Sequence, residues 1–207
     1  TPLAGRPILQ RSVDAFIRSD QITDVVVALP PDLAAAPPEY LLRRQKPVFI
    51  VEGGHRRQDS VRHAFDLVHQ RAEVVVIHDA ARPLVTEAVI RRTVDAAFDT
   101  GAAIAALRAS DTVKRANREG RIAETLPRDE IYLAQTPQAF RREVLRDAVA
   151  LGRSGVEATD EAALAERAGH PVRIVEGDAT NVKITTASDL GRARQIGGGP
   201  TPGFARG

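Results

Sequence analysis

The residues best suited to chemistry are an acid and a base held in one short run, residues 74–84 (VVVIHDAARPL). Asp79 and Arg82 are separated by two alanines, whose small side chains let a ligand come close. A carboxylate in such a loop can hold Mg²⁺ or a ribose hydroxyl, and an arginine can fork onto phosphate. The four aliphatic residues before them have the length and continuity of a buried strand. Pro83 removes a backbone donor and biases Arg82 away from the helical region, so the chain turns there. In open α/β sheets ligands bind beyond the carboxyl ends of strands, which places Asp79 and Arg82 along an active site. The plainer alternative is a salt-bridged strand terminus.

Three further groups merit a chemical reading. Gly53-Gly54-His55-Arg56-Arg57-Gln58-Asp59-Ser60 follows a strand-like segment and opens a helix-like one. Its glycines permit close approach of a ligand, and Ser60 can donate from the first helical turn. It lacks the lysine and the spacing of a P-loop, and a surface loop accounts for it equally well. Arg128, with Thr136 in the run QTPQ, suits a phosphomonoester, although turn chemistry also explains Thr-Pro. Lys183 lies in NVKIT, alternating with apolar neighbours, and is one of three lysines among 29 basic residues. A compact ammonium suits charge neutralisation on a transferring phosphoryl group. A lysine snorkelling from a strand face is the alternative. No Ser-His-Asp triad, zinc site or G-x-G-x-x-G fingerprint is present.

The elements that must position these residues follow from periodicity. Strands are expected at residues 23–29, 47–51, 74–77, 102–107, 172–175 and 180–184. Helices are expected at 7–19, 39–44, 59–70, 86–100 with Thr86 as N-cap, 141–151, 160–168 and from 188. Strands and helices alternating at this length predict an α/β fold with a doubly wound, mostly parallel sheet. Residues 109–133 break the pattern: short, polar and strand-like, they read as a projecting β-arm. Such an arm has no core of its own and needs a partner, which predicts a homodimer. One domain is expected over residues 1–196, with 197–207 (GGGPTPGFARG) as a flexible tail or linker.

Composition narrows the classes. The chain has 207 residues, a formal net charge of +2 and no cysteine. Disulfides, thiolate metal sites and cysteine nucleophiles are thereby excluded. Near-balanced charge argues against nucleic acid as a partner. With no apolar run of about 18 residues and no signal-peptide pattern, no membrane association is expected and the cytoplasm is the expected compartment.

The segments GGHRRQDSV, VVIHDAARP, DTVKR, QTPQAF, TDEA and EGDATNVKITT, with Asp189-Leu190 behind the last, come in one order between Gly5 and Leu190. In that combination the chain resembles the 2-C-methyl-D-erythritol 4-phosphate cytidylyltransferases of the isoprenoid pathway. The resemblance implies a Rossmann-like nucleotidyltransferase that joins CTP to methylerythritol phosphate and releases pyrophosphate, with Mg²⁺ as cofactor. It implies that Gly54 and Ser60 hold the cytosine. Asp79 and Ala80 would lie along the ribose and metal-phosphate side, making Asp79 the candidate metal ligand. Arg82, Thr112, Arg128, Thr136, Thr159 and Lys183 would surround the sugar phosphate. Arg128 and Lys183 match the catalytic positions that orient that phosphate for in-line attack. The arm carrying Thr112 and Arg128 would reach into the neighbouring subunit.

The family begins with a strand and a glycine-rich loop that cradles the triphosphate, and the sequence here starts at the residues that normally follow that loop. The expectation is that the loop precedes Thr1 in the intact protein. Some bacteria fuse this enzyme to a later one of the same pathway, and the glycine-rich tail fits the stump of such a linker. Two alternatives stand beside this reading. A ribitol- or other polyol-phosphate cytidylyltransferase is the nearer one, although Ala80-Ala81 favours methylerythritol phosphate. A non-catalytic nucleotide-binding form is the other, should the loop be truly absent.

Overall fold

The computed structural model describes residues 2–198. A small hairpin of β1 (Pro2–Leu3) and β2 (Arg6–Pro7) leads into α1 (Ile8–Arg18), which buries Val13, Phe16 and Ile17 on one face. The spacing of these residues is that of a helix stripe. β3 (Val25–Leu29), a short α2 (Pro31–Ala35) and β4 (Val48–Glu52) follow, and β3 pairs parallel with β4. The helix expected at 39–44 is a single 3-10 turn, Glu39–Leu41. Then come α3 (Arg57–Leu67), β5 (Val74–Ile77) and α4 (Glu87–Thr100). The Thr86 hydroxyl caps α4 by accepting the Val89 N–H at 3.4 Å, and Gly101, at φ 97°, ends it in a backbone region that favours glycine.

The second half supplies the centre of the sheet. β6 (Ala102–Arg108) is followed by the hairpin of β7 (Val113–Ala116) and β8 (Ile122–Leu126) and by the long β9 (Tyr132–Arg141). α5 (Arg142–Arg153), α6 (Glu161–Arg167), β10 (Arg173–Glu176) and α7 (Ala187–Gly198) complete the chain. The main sheet has the order β10-β6-β9-β5. α4 covers one face through Val89, Ile90 and Val94. The other face is covered by α5 and α6, which pack Leu145, Ala148 and Leu164 against Phe140.

The sheet is mixed, not mostly parallel. β10 pairs parallel with β6, but β9 runs antiparallel to both β6 and β5. β9 escapes a sequence reading because Pro137 cannot donate to a ladder and Gln135, Thr136 and Gln138 are polar. The register shift opposite Ile104 and Ala106 resolves this: Ile104 faces Gln138 and Ala106 faces Ala134, so residues 135–137 stand outside the ladder. The strand expected at 180–184 is a loop instead. Thr180 turns onto the Asp178 carboxylate through its N–H (2.8 Å) and hydroxyl (2.6 Å), a local bonding mode that competes with strand pairing.

β3 and β5 have no pairing partner on their second edges among the described residues. A cleft of about 380 Å³ lies between them, lined by Val25, Val26 and Val27 on one side and Val74, Val75 and Val76 on the other. Among the described residues β7 and β8 pair with each other and with no other strand, and Asn117 closes their turn by accepting the Glu119 and Arg121 N–H groups. Gly197 and Gly198, assigned to a tail from the sequence, are helical. Gly197 packs so near Leu84 that a Cβ there would lie 3.3 Å from the leucine side chain. The rest of the expected tail, residues 199–207, lies outside the described residues.

Candidate active site

The loop after β5 is fixed by a chain of hydrogen bonds that starts at the half-buried imidazole of His78. His78 Nε2 lies 3.1 Å from the Arg82 carbonyl, which can only accept, so this nitrogen carries the proton. Nδ1 then accepts from the Thr136 hydroxyl at 3.1 Å, and Thr136 Oγ1 accepts the Asp79 N–H at 3.0 Å. Burial against Phe16 keeps this ring neutral, lowering its pKa to about 4. The Ser12 hydroxyl donates to the Ala80 carbonyl at 2.7 Å, and the Arg82 N–H closes a turn onto the Asp79 carbonyl at 2.9 Å. The backbone at Asp79 is thus set by the β5 loop, β9 and α1 together.

The Asp79 carboxylate is shared by two cations. Oδ1 accepts from Arg57 Nε at 3.1 Å, and Oδ2 accepts from Lys183 Nζ at 2.8 Å. Burial works against the Asp79 charge, but the bonds from Lys183 and Arg57 outweigh it and hold the carboxyl below its ordinary range. Arg57 also donates through Nη1 to Glu161, whose side chain is 1% exposed, and burial pushes that carboxyl up against the pull of the guanidinium. Arg82 Nη1 donates to the Asn181 carbonyl at 2.7 Å, while the fully buried Asn181 amide donates to the Thr136 carbonyl at 2.8 Å. The Ile184 N–H reaches the Ala81 carbonyl at 2.8 Å, so the loop carrying Lys183 is laced to the loop carrying Asp79.

The glycine segment forms the neighbouring wall. The Gly54 N–H donates to Ser60 Oγ at 3.0 Å, and a Cβ on Gly54 would collide with the Asp59 side chain, so glycine is required there on steric grounds. Arg57, Ser60, Asp79 and Ala80 all line the cleft between β3 and β5. Of the residues singled out from the sequence, Gly54, Ser60, Asp79, Ala80, Arg82, Thr136 and Lys183 therefore gather at one end of the sheet. Thr112, Arg128 and Thr159 are exposed, and none bonds to Asp79, Arg82 or Lys183 among the described residues. Arg128 donates to the Ser110 carbonyl at 3.1 Å, within the arm.

Thr136 differs from its expected role. Its proton goes to His78 and its oxygen accepts from Asp79, and the residue is 4% exposed, so it acts on a ligand through the Asp79 backbone. Sequence reasoning passed over Arg57, Glu161, His78 and Asn181. Arg57, His78 and Asn181 sit inside segments marked as chemical, and Glu161 lies in TDEA, one of the segments that carry the resemblance, directly after the N-cap Asp160 of α6.

A divalent cation finds little of its own here. Both oxygens of the Asp79 carboxylate are taken by cations, and among the described residues no group of three or more His, Cys, Asp or Glu is placed to hold a metal ion. This donor set does not fit a protein-held Mg²⁺, an ion that in nucleotide sites is carried largely by phosphates and water.

The two-sided α/β sheet has the nucleotidyltransferase fold, and its strand ends carry cations and a glycine turn suited to phosphate. The family model described as "IspD: 2-C-methyl-D-erythritol 4-phosphate cytidylyltransferase" matches residues 1–197, and the chain belongs to that family. A 2-C-methyl-D-erythritol 4-phosphate cytidylyltransferase of Syntrophus aciditrophicus is 51% identical over 68% of this chain and 61% of its own length. A bifunctional enzyme IspD/IspF of Anaeromyxobacter dehalogenans is 46% identical over 94% of this chain. The chain spans 51% of the length of that relative. The crystal structure of 4-diphosphocytidyl-2C-methyl-D-erythritol synthase from Anaerococcus prevotii superposes with a TM-score of 0.88 at 26% identity, covering 94% of this chain and 87% of the other. Among the described residues no helix is long and apolar enough to cross a membrane.

Proposed function

We propose that the chain transfers CMP from CTP to 2-C-methyl-D-erythritol 4-phosphate, giving 4-diphosphocytidyl-2-C-methyl-D-erythritol and pyrophosphate. The observation that carries this reading is the Lys183–Asp79–Arg57 cluster, beside the glycine turn of Gly54 and Ser60. A phosphate oxygen of the sugar attacks the α-phosphorus of CTP, the bond to the β-phosphate oxygen breaks, and pyrophosphate leaves with that electron pair. A phosphate dianion is already nucleophilic, so no general base is needed. The task is to hold two anions together and neutralise developing charge.

The chain's own groups divide that task. Gly54, whose turn against Asp59 leaves no room for a side chain, and Ser60 face the base. Asp79, Ala80 and the backbone fixed by Thr136 flank the ribose. Lys183 and Arg82 meet the sugar phosphate, joined by Thr159 and by Thr112 and Arg128 from the arm of a second copy. Mg²⁺ belongs to this reading as a companion of the triphosphate, offsetting its charge. A homodimer is supported by the arm itself: Ile122 is 66% and Leu133 58% exposed, and the hairpin has no sheet partner among the described residues of its own chain. A strand laid in the cleft between β3 and β5 would join the two parts of the sheet and deliver a following loop beside Asp79.

Pyrophosphate release from CTP tests the reading on the intact gene product, with methylerythritol phosphate set against ribitol phosphate. Faster turnover of methylerythritol phosphate is expected. Faster turnover of ribitol phosphate would reassign the substrate to a polyol phosphate, and no release with either would leave a nucleotide-binding form.

A further inference from the structure

Lys183 is not idle in this structure: its ammonium is already bonded to Asp79 at 2.8 Å. A phosphate that draws Lys183 fully toward itself competes for it with a carboxylate whose side chain is 15% exposed. Stripping a largely buried carboxylate of its counter-ion is costly, which by itself would favour the resting pair over the phosphate. Asp79, however, has a second partner on its other oxygen, Arg57 Nε at 3.1 Å. Arg57 is in turn pinned from the far side by Glu161, which is sealed from water and stands in the first turn of α6. The guanidinium spans the two carboxylates through different nitrogens, a geometry that its planar fork holds rigidly.

We propose that Arg57 is a positioning residue that releases Lys183 to an incoming phosphate, by holding the Asp79 charge when Lys183 departs, and that Glu161 keeps Arg57 in place for that exchange. This rests on the reading of Lys183 as a phosphate-binding cation. Without Arg57, Asp79 competes with the phosphate for the same ammonium. With it, the carboxylate stays paired in both states and the exchange costs less.

The chain contains three lysines, so ¹⁵N-lysine spectra of the intact protein are simple, and loss of one signal in Lys183→Arg assigns it. Titration with inorganic phosphate then follows the Lys183 ammonium directly. In Arg57→Gln the half-saturating phosphate concentration should rise about tenfold, equivalent to roughly 1.4 kcal/mol. Adding Asp79→Asn to Arg57→Gln should bring it back toward the wild-type value, because a neutral amide no longer retains Lys183. Glu161→Gln should move it in the same direction as Arg57→Gln, by less. Arg57→Lys, which keeps a counter-ion beside Asp79, should stay nearer wild type and covers the case in which Arg57→Gln does not fold. An unchanged half-saturation in Arg57→Gln overturns the proposal, as does failure of Asp79→Asn to reverse it, a Lys183 signal in the wild type that ignores phosphate, or an Arg57→Lys shift as large as that predicted for Arg57→Gln. Absence of pyrophosphate release with these phosphate responses intact would count against the cytidylyl-transfer reading alone.

Discussion

Lys183 and Arg128 face the same proposed phosphate but are held in opposite ways. Lys183 sits in a wall where Asp79, Arg57, Glu161, Asn181, Thr136 and His78 bond to one another across α3, β5, β9, α6 and the 181–185 loop. Arg128 sits at the base of a hairpin braced by surface pairs such as Arg115–Glu124 at 2.9 Å, of a kind worth about 0–1 kcal/mol each. The wall obtains its geometry from the fold of one chain. The arm is left without such bracing, so a second copy would have to supply its geometry. Damage to the wall should therefore appear in stability and turnover together, and damage to the arm in turnover and association alone.

The largest expected effect sets the two cations side by side. Lys183→Ala and Arg128→Ala should each lose about 10²–10³ in turnover, the scale for a group that stabilises developing charge. CTP binding should fall less in Lys183→Ala than turnover does. Arg128→Ala should leave the urea midpoint of the purified protein where it was. Full turnover in Arg128→Ala would remove the arm from the site and break the comparison outright.

Next in size is a pH effect confined to the wall. The folded-state pKa of His78 lies near 4, below its ordinary 6.5, so the unfolded chain takes up a proton more readily. Stability from this group is complete above about pH 6.5 and is lost as pH falls toward 4. At 1.36 kcal/mol per pKa unit the whole loss is about 3 kcal/mol. Unfolding free energies measured between pH 7 and 4.5 should show this slope, and His78→Asn should flatten it. Equal slopes in both proteins would show that the imidazole is not buried neutral.

How far these regions could be foreseen follows the same division. Periodicity marks β5, α4 and β6 well, because continuous apolar runs and an N-cap threonine are local signals, and it singles out the loop with Asp79 and Arg82. It misses β9, whose polar residues and Pro137 argue against a central strand when read locally. They fit because a register shift in β6–β9 pairing lifts 135–137 out of the ladder. It misreads 180–184 because alternation of Val182 and Ile184 with polar residues imitates a strand, while Asn181 is committed inward to Thr136. The role of Glu161 is hidden for a related reason: TDEA marks the residue, but its partner lies 104 residues away in sequence.

Thr136 offers a finer test of the wall. A hydroxyl that both donates to His78 and accepts from Asp79 can be replaced by serine but not by valine. Thr136→Val should cost about 1–3 kcal/mol by leaving buried groups unpaired, and should lower turnover by displacing Asp79. Thr136→Ser should recover most of both. Loss of turnover in Thr136→Ser as deep as in Thr136→Val would mean that the methyl group, not the hydrogen-bond relay, sets the loop.

The smallest effect on stability should come from the arm, and it is the most telling of the set. Ile122 lies on β8 at 66% exposure, so Ile122→Asp removes almost no burial within one chain and should change the unfolding free energy by no more than about 0.5 kcal/mol. If the hairpin is completed by a second copy, the same substitution places a charge at that contact, and sedimentation should show the dimer dissociating at lower concentration-dependent affinity. Turnover should fall with it, because Arg128 and Thr112 would no longer reach the partner's site, and raising protein concentration should restore both together. A variant that sediments and turns over like the wild type would place the dimer contact elsewhere. Arg128 would then need to be held by its own chain, through bonds beyond the Ser110 carbonyl that the arm now provides.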